Sequence, residues 1–272
     1  MSSAQPQTVS PTAKKYANVL GVKVSAINIP MALDTIERWI RTGEQHYVTI
    51  TGVHGVIESQ SDANLLEIHN RAGMVTPDGM PLVWMNHVQG NKHVSRVYGP
   101  DLMLAVCEAS KEKGYKHFFY GGMDGVPELL KEKLTARFPH LQVVGMYSPP
   151  FRALTPEEDA AICQQIDDSG ADIVWVGLST PKQERWMSSH IGKFKAPVMV
   201  GVGAAFDFHA GLKKQAPKWM QKRGLEWFFR LVSEPRRLGK RYLINNPKFI
   251  GLVALQMLGV RRKPLPDYVS AE

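Results

Sequence analysis

A chain of 272 residues with 44% hydrophobic content is long enough to bury the core of a large domain and too apolar for a disordered chain. Its two cysteines, Cys107 and Cys163, follow no CxxC or Cys/His spacing, which points to reduced thiols rather than a disulfide framework or a zinc site. The net charge of +8 is unevenly placed: residues 1–211 carry −2, residues 212–263 carry +12, and the last nine carry −2.

The first 18 residues are polar and Pro/Ser-rich, with no apolar stretch of signal-peptide type, and predict a disordered tail on a cytoplasmic protein. From Tyr47 to Gly203, β-branched runs alternate with helical patterns. Strands are expected at 47–51, 73–77, 117–122, 141–147, 171–178 and 196–203. Helical spacing fills 56–72, 101–114, 126–138 and 155–170. Thr155 with Glu158 predicts a capping box, and Gly114 and Gly170 predict C-caps. This alternation implies an α/β, Rossmann-like, mainly parallel sheet flanked by helices, over 19–211. After 212 the strand signals stop, and 212–263 reads as a basic amphipathic helical appendage followed by a short tail. The longest apolar run, 249–260, has twelve residues, short of the roughly 20 that cross a bilayer.

Ligands of such sheets bind beyond the carboxyl ends of the strands, and several polar loops fall there. Gly121, Gly122 and Gly125 form a GGxxG turn ahead of a helix, suited either to a phosphate or to a tight βα connection. Asp78, between Pro77 and Gly79, ends a strand and either caps the next helix or serves as a general base. Arg96, Gly99 and Asp101 precede another helix, with Asp101 placed as a first-turn acid. STPKQER (179–185) combines a helix start with a polar cluster suited to a diphosphate and a sugar hydroxyl. Asp207, between Phe206 and Phe208, needs a partner if buried: a ligand hydroxyl or the basic C-terminal segment. The sequence has no P-loop, GxSxG or HExxH motif. It also has no Asp-x-Asp pair to hold a metal on a nucleotide-sugar diphosphate.

In order along the chain, TPDGMPLVW, RVYGPDLM, FFYGGMDGV, WVGLSTPKQERW, GVGAAFDFHAG, the 216–243 segment and NNPKF resemble the WecG/TagA/CpsF glycosyltransferases, family 26, over about residues 20–250. The resemblance implies an inverting transferase that moves a sugar from a UDP-sugar to a polyprenyl-diphosphate-linked saccharide. Its setting would be cell-surface polysaccharide synthesis: teichoic acid, common antigen, capsule or exopolysaccharide. It implies Asp78 as base, Gln183 and Asp207 as substrate contacts, and Arg230 and Arg237 at the donor diphosphate and in membrane docking. Many members carry a Thr-x-Asn motif in the first strand–helix loop. Here that loop reads VTITGVHGV, with no asparagine, and Thr51 or Thr49 fits the threonine. With no Asp-x-Asp pair, arginines of 230–241 and the helix starts after Gly122 and Pro181 are expected to neutralise the leaving UDP without a metal.

Two other classes compete. The +12 segment fits the phosphate backbone of a nucleic acid, but its cations alternate with Trp227, Phe228, Phe229, Leu231 and Val232. A nicotinamide-dependent oxidoreductase rests on the GGxxG turn alone. Within the segment, Leu225, Phe228, Phe229, Val232, Leu238, Tyr242 and Leu243 have the spacing of a core face. The run 249–260 followed by Arg261, Arg262 and Lys263 fits an anionic membrane surface, with self-association as the other use of the same apolar faces.

Overall fold

The computed structural model describes residues 15–261 and 263–270, apart from the side chains of Arg237, Val269 and Ser270. A short antiparallel hairpin, β1 (Tyr16–Val19) and β2 (Val22–Ser25), opens the fold. The Rossmann-like unit follows as α1 (Ile29–Thr42), β3 (His46–Thr51), α2 (Val53–Glu58), α3 (Ala63–Arg71), β4 (Met74–Pro77), α4 (Met80–Val88) and α5 (Gly99–Lys113). It continues as β5 (Lys116–Gly121), α6 (Val126–Arg137), β6 (Gln142–Tyr147), α7 (Pro156–Ser169), β7 (Ile173–Gly177), α8 (Lys182–His190), β8 (Val198–Gly201) and α9 (Ala205–His209). Four helices close the described chain: α10 (Lys218–Lys222), α11 (Glu226–Ser233), the long α12 (Pro235–Met257) and the short α13 (Asp267–Ser270).

Strands β3 to β8 form one parallel sheet in the order β4-β3-β8-β7-β5-β6. All six strands expected from the sequence are present. Alternate side chains of the inner strands feed two cores. Phe118, Tyr120, Val174 and Val176 face one side of the sheet, and Phe119, Ile173 and Trp175 face the other. The chain leaves β3 toward β4 and leaves β5 toward β6, so a crevice opens between their carboxyl ends. Register aligns the strand ends beneath it: Thr51 pairs with Pro77, and Gly121 pairs with Gly177.

The caps match expectation. Thr155 and Glu158 form the reciprocal capping box, and Gly114 and Gly170 end α5 and α7 in the left-handed conformation. The span 56–72 differs, because Asp62 caps α3 with its side chain and divides the expected helix in two.

The expected tail is shorter at its inner end. Tyr16, Ala17 and Asn18 already belong to β1, while residues 1–14 lie outside the described residues. The hairpin holds the distant end of α12. Gln256 accepts from the Leu20 amide at 2.8 Å and donates to the Asn18 carbonyl at 2.9 Å, and the Asn18 side chain donates to the Lys263 carbonyl at 2.7 Å. The far end of the basic segment is thus stitched to the core. The segment's expected core face needs correction. Leu238 is buried, but Phe228, Val232 and Leu243 are 49%, 65% and 71% exposed. The inward residues of α12 are instead Leu238, Asn245 and Phe249, with Leu252 and Val253 packed against the core, a stripe set by where the helix crosses α2.

Candidate active site

A cleft of about 1000 Å³ lies over the carboxyl ends of β3, β4, β5, β7 and β8, at the upper end of the range for small-molecule sites. Thr51, Asp78, Gly122, Gln183, Asp207 and Arg230 all line it, joined by Tyr98, Lys182, Lys213 and Arg241. Five separate loops of the sequence converge here because each follows a strand of the same parallel sheet.

Asp78 stands at the tip of β4. Its amide donates to the Thr51 and Thr76 carbonyls at 3.1 and 3.0 Å, tying it to the end of β3. It does not cap the next helix, since Gly79 occupies that position without a side-chain bond. Its Oδ1 is shielded from solvent and has no hydrogen-bond partner. Burial pushes its pKa up to about 6, opposed by Arg96 and Arg230 and reinforced by Glu226 and Asp101. A half-buried carboxylate with one shielded, unpartnered oxygen and a raised pKa is the state expected of a general base.

The neighbourhood of Asp78 is built to admit a ligand atom. A side chain at Gly52 would begin 3.4 Å from Asp78 Oδ2, so glycine keeps that approach clear. Thr51 faces the cleft, and its hydroxyl donates to Thr49 Oγ1 at 3.1 Å. Thr49 itself is fully buried and lies outside the lining, which makes Thr51 the threonine of the cleft. The loop histidine His54 also lines the cleft. Its Nδ1 accepts from Asn245 of α12 at 3.0 Å, and burial, with Arg241 nearby, pushes its pKa down to about 3.

Gln183 is buried on the first turn of α8, with Nε2 donating to the Gly201 carbonyl at 3.2 Å and Oε1 unpartnered. Asp207 pairs with Lys213 at 2.7 Å, so its partner is the first cation of the basic segment. Arg230 lies above the Phe208 ring, and its Nε has no hydrogen-bond partner. Gly122 lines the cleft just ahead of α6, whose N-cap Gly125 supplies no side-chain bond.

Two expected residues sit elsewhere, and a third falls outside the described side chains. Gly121 lies one residue beneath the lining, where a Cβ would meet the Gly177 carbonyl carbon at 2.7 Å; it is glycine for strand packing. Arg96 stands behind Asp78 rather than in the cleft. Its Nε donates to the Asp78 carbonyl at 2.6 Å, Nη1 donates to Gln221 at 3.1 Å, and Nη2 pairs with Glu226. It holds the basic segment against Asp78 and has little capacity left for substrate. The Arg237 side chain lies outside the described residues.

Arg152, Tyr98 and His69 are cleft residues that the sequence motifs did not assign. Tyr98 lies within the RVYGP motif and was reachable; Arg152, in the loop after β6, and His69, inside α3, carry no local signal. Arg230 and Arg241 turn toward the cleft, so the segment does not present these cations as an outward stripe for a nucleic acid.

The sequence model of the "Glycosyl transferase WecG/TagA/CpsF family" matches residues 17–263. The chain belongs to this family. It is therefore a glycosyltransferase, as the motifs led one to expect. It is also similar to the N-acetylglucosaminyldiphosphoundecaprenol N-acetyl-beta-D-mannosaminyltransferase of Bacillus subtilis (strain 168). The two are 26% identical over 230 residues, covering 82% of this chain and 87% of the relative.

Proposed function

We propose that this glycosyltransferase inverts the anomeric centre of a UDP-linked sugar while passing it to a hydroxyl of a polyprenyl-diphosphate-linked saccharide. The relative's name supplies the acceptor class, since that protein acts on a sugar carried by diphosphoundecaprenol. The single observation that carries the mechanism is Asp78 Oδ1, buried, unpartnered and at the cleft floor.

In this reading the Asp78 carboxylate removes the proton of the acceptor hydroxyl. The hydroxyl oxygen bonds to the anomeric carbon as the bond to the β-phosphate oxygen breaks, and UDP departs with the electron pair. Lys213 and Arg230 stand at the cleft with Arg241 to receive the diphosphate charge, and guanidinium groups suit it through paired donors. The N-terminal ends of α6 and α8 add their dipoles. These groups supply the neutralisation for which other glycosyltransferases use a metal, and we take turnover to be metal-independent.

Among the described residues, no helix is long and apolar enough to cross a membrane. An acceptor of that class supports a reading in which the work is done at a lipid surface. Exposed Leu243, Ile244, Ile250 and Leu258, with exposed Arg236, Lys240 and Lys248 on the same long segment, suit peripheral docking on the inner face of an anionic membrane. A thermal-shift comparison of UDP, NAD and a short DNA duplex tests the donor assignment. UDP alone is expected to raise the melting temperature; stabilisation by NAD or DNA without UDP would contradict it.

A further inference from the structure

On the side of the cleft formed by α3 and α8 lies a pair of groups that the mechanism above does not use. His69 is fully buried and Glu184 is 1% exposed, yet both border the cleft. His69 Nδ1 faces the Leu65 carbonyl at 2.9 Å. A carbonyl only accepts, so Nδ1 carries the proton and the neutral ring presents a bare lone pair at Nε2. Burial favours that neutral form, with Glu184 opposing it. Nε2 has no partner. It lies 3.3 Å from the place a Cβ on Gly55 would occupy, and that same point is 3.3 Å from the Thr51 methyl carbon, so the ring sits beside the loop that carries Thr51.

Glu184 is asymmetric in a matching way. Its Oε1 accepts from the Thr180 hydroxyl at 2.8 Å and from Gln183 Nε2 at 3.1 Å, while Oε2 is buried without a partner. His69 Nε2 and Glu184 Oε2 do not bond to each other. Two buried acceptors left open are costly unless something supplies two donor hydrogens. A metal fits poorly: among the described residues the one cluster of three at metal-binding spacing is Asp159, Cys163 and His190, which excludes both members of this pair. Neighbouring hydroxyls on one ring would satisfy both acceptors, because each donates one hydrogen.

We infer that His69 and Glu184 form a recognition subsite for a vicinal diol of the pyranose ring docked beside Asp78. The subsite would make the enzyme selective for sugars that keep both hydroxyls, because a site with buried acceptors rejects the analogue that leaves them empty. The diol comes either from the transferred sugar or from the acceptor saccharide. The inference rests on the glycosyl-transfer reading and adds the residues that choose among sugars.

The test uses the full chain and two variants, His69→Phe, which keeps the ring and deletes Nε2, and Glu184→Gln. In the latter, the amide oxygen takes over the Thr180 and Gln183 bonds and places an NH2 group where Oε2 stood. Binding of UDP and of UDP-N-acetylmannosamine is measured by calorimetry, and KM for a short-chain prenyl-diphosphate-N-acetylglucosamine by steady-state kinetics. UDP affinity is expected to stay within about threefold in both variants. One sugar parameter should worsen by about 10–100-fold: the affinity for the UDP-sugar if the transferred ring carries the diol, or the acceptor KM if the acceptor does. A deoxy analogue of that sugar should cost the wild type a similar factor and the variants nothing further, the coupling a direct contact requires.

If both variants handle donor and acceptor as the wild type does, the diol site is wrong while the nucleotide reading stands. If the deoxy penalty is the same in wild type and variants, the pair holds a structural water or the local fold, and the inference is overturned. A wild type that binds no UDP overturns the nucleotide reading and this inference together.

Discussion

Asp78→Asn should make the protein more stable and nearly inactive, the first because the folded state raises the carboxyl's pKa and the second because the amide accepts no proton. The Asp78 pKa rises from 3.8 to about 6 on folding. That is about 2 units, and at about 1.4 kcal/mol per unit the ionised group costs the folded state about 3 kcal/mol. The sign follows from proton binding. The folded protein holds this proton more tightly than the unfolded chain, so stability falls as pH rises from about 4 to about 6 and stays reduced above that. Asparagine removes the charge and with it the penalty. Chemical denaturation of wild type and variant at pH 7.5 and 4.5 measures the difference. The variant should gain up to about 3 kcal/mol at pH 7.5 and much less at pH 4.5. Turnover should fall by about 10²–10⁴-fold, the usual contribution of a placed base. In the wild type, kcat/KM should lose about tenfold per pH unit below about 6. A variant with near-wild-type turnover, or a stability gain that ignores pH, would refute the reasoning.

Arg230→Ala should weaken UDP binding by about tenfold or more, read by calorimetry, because its guanidinium is a cleft cation with an open Nε. Arg96→Met breaks a mostly buried pair with Glu226 and frees the Asp78 carbonyl; it should lower stability by about 3 kcal/mol and turnover with it, measured by denaturation and a UDP-release assay. Replacing exposed Leu243, Ile250 and Leu258 with Gln should reduce co-sedimentation with anionic liposomes while leaving the melting temperature within a few degrees. Turnover in excess EDTA should match turnover with added Mg²⁺ or Mn²⁺, and strict dependence on either ion would contradict the role given to the cleft cations.

The sheet was legible because a parallel strand buried on both faces must be a short β-branched run, and the six runs stand apart from the helical patterns. The β1–β2 hairpin was not, since four-residue strands such as YANV and VKVS carry too little periodicity to separate from a tail. Asp78, Gln183, Asp207 and Gly122 were readable because each follows a strand and must therefore lie at the same end of the sheet. Arg96 lies instead in the loop between α4 and α5 and points behind Asp78, a choice made by Glu226 more than a hundred residues away. His69 lies inside a helix, and only the packing of α3 against α8 brings it to the cleft. In the basic segment, helical spacing located two apolar faces but not which one meets the core. That is decided where α12 crosses α2, with the hairpin gripping Gln256 and the chain at Lys263.

The central claim is a sugar transfer from UDP with inversion, driven by Asp78. Its most direct test is a panel of UDP-sugars incubated with a short-chain prenyl-diphosphate-N-acetylglucosamine, with UDP release and the product's anomeric configuration followed by NMR. The account predicts that one donor releases UDP in step with a product of inverted configuration, and that Asp78→Asn yields neither. Retained configuration, or product formed at the wild-type rate by Asp78→Asn, would contradict it.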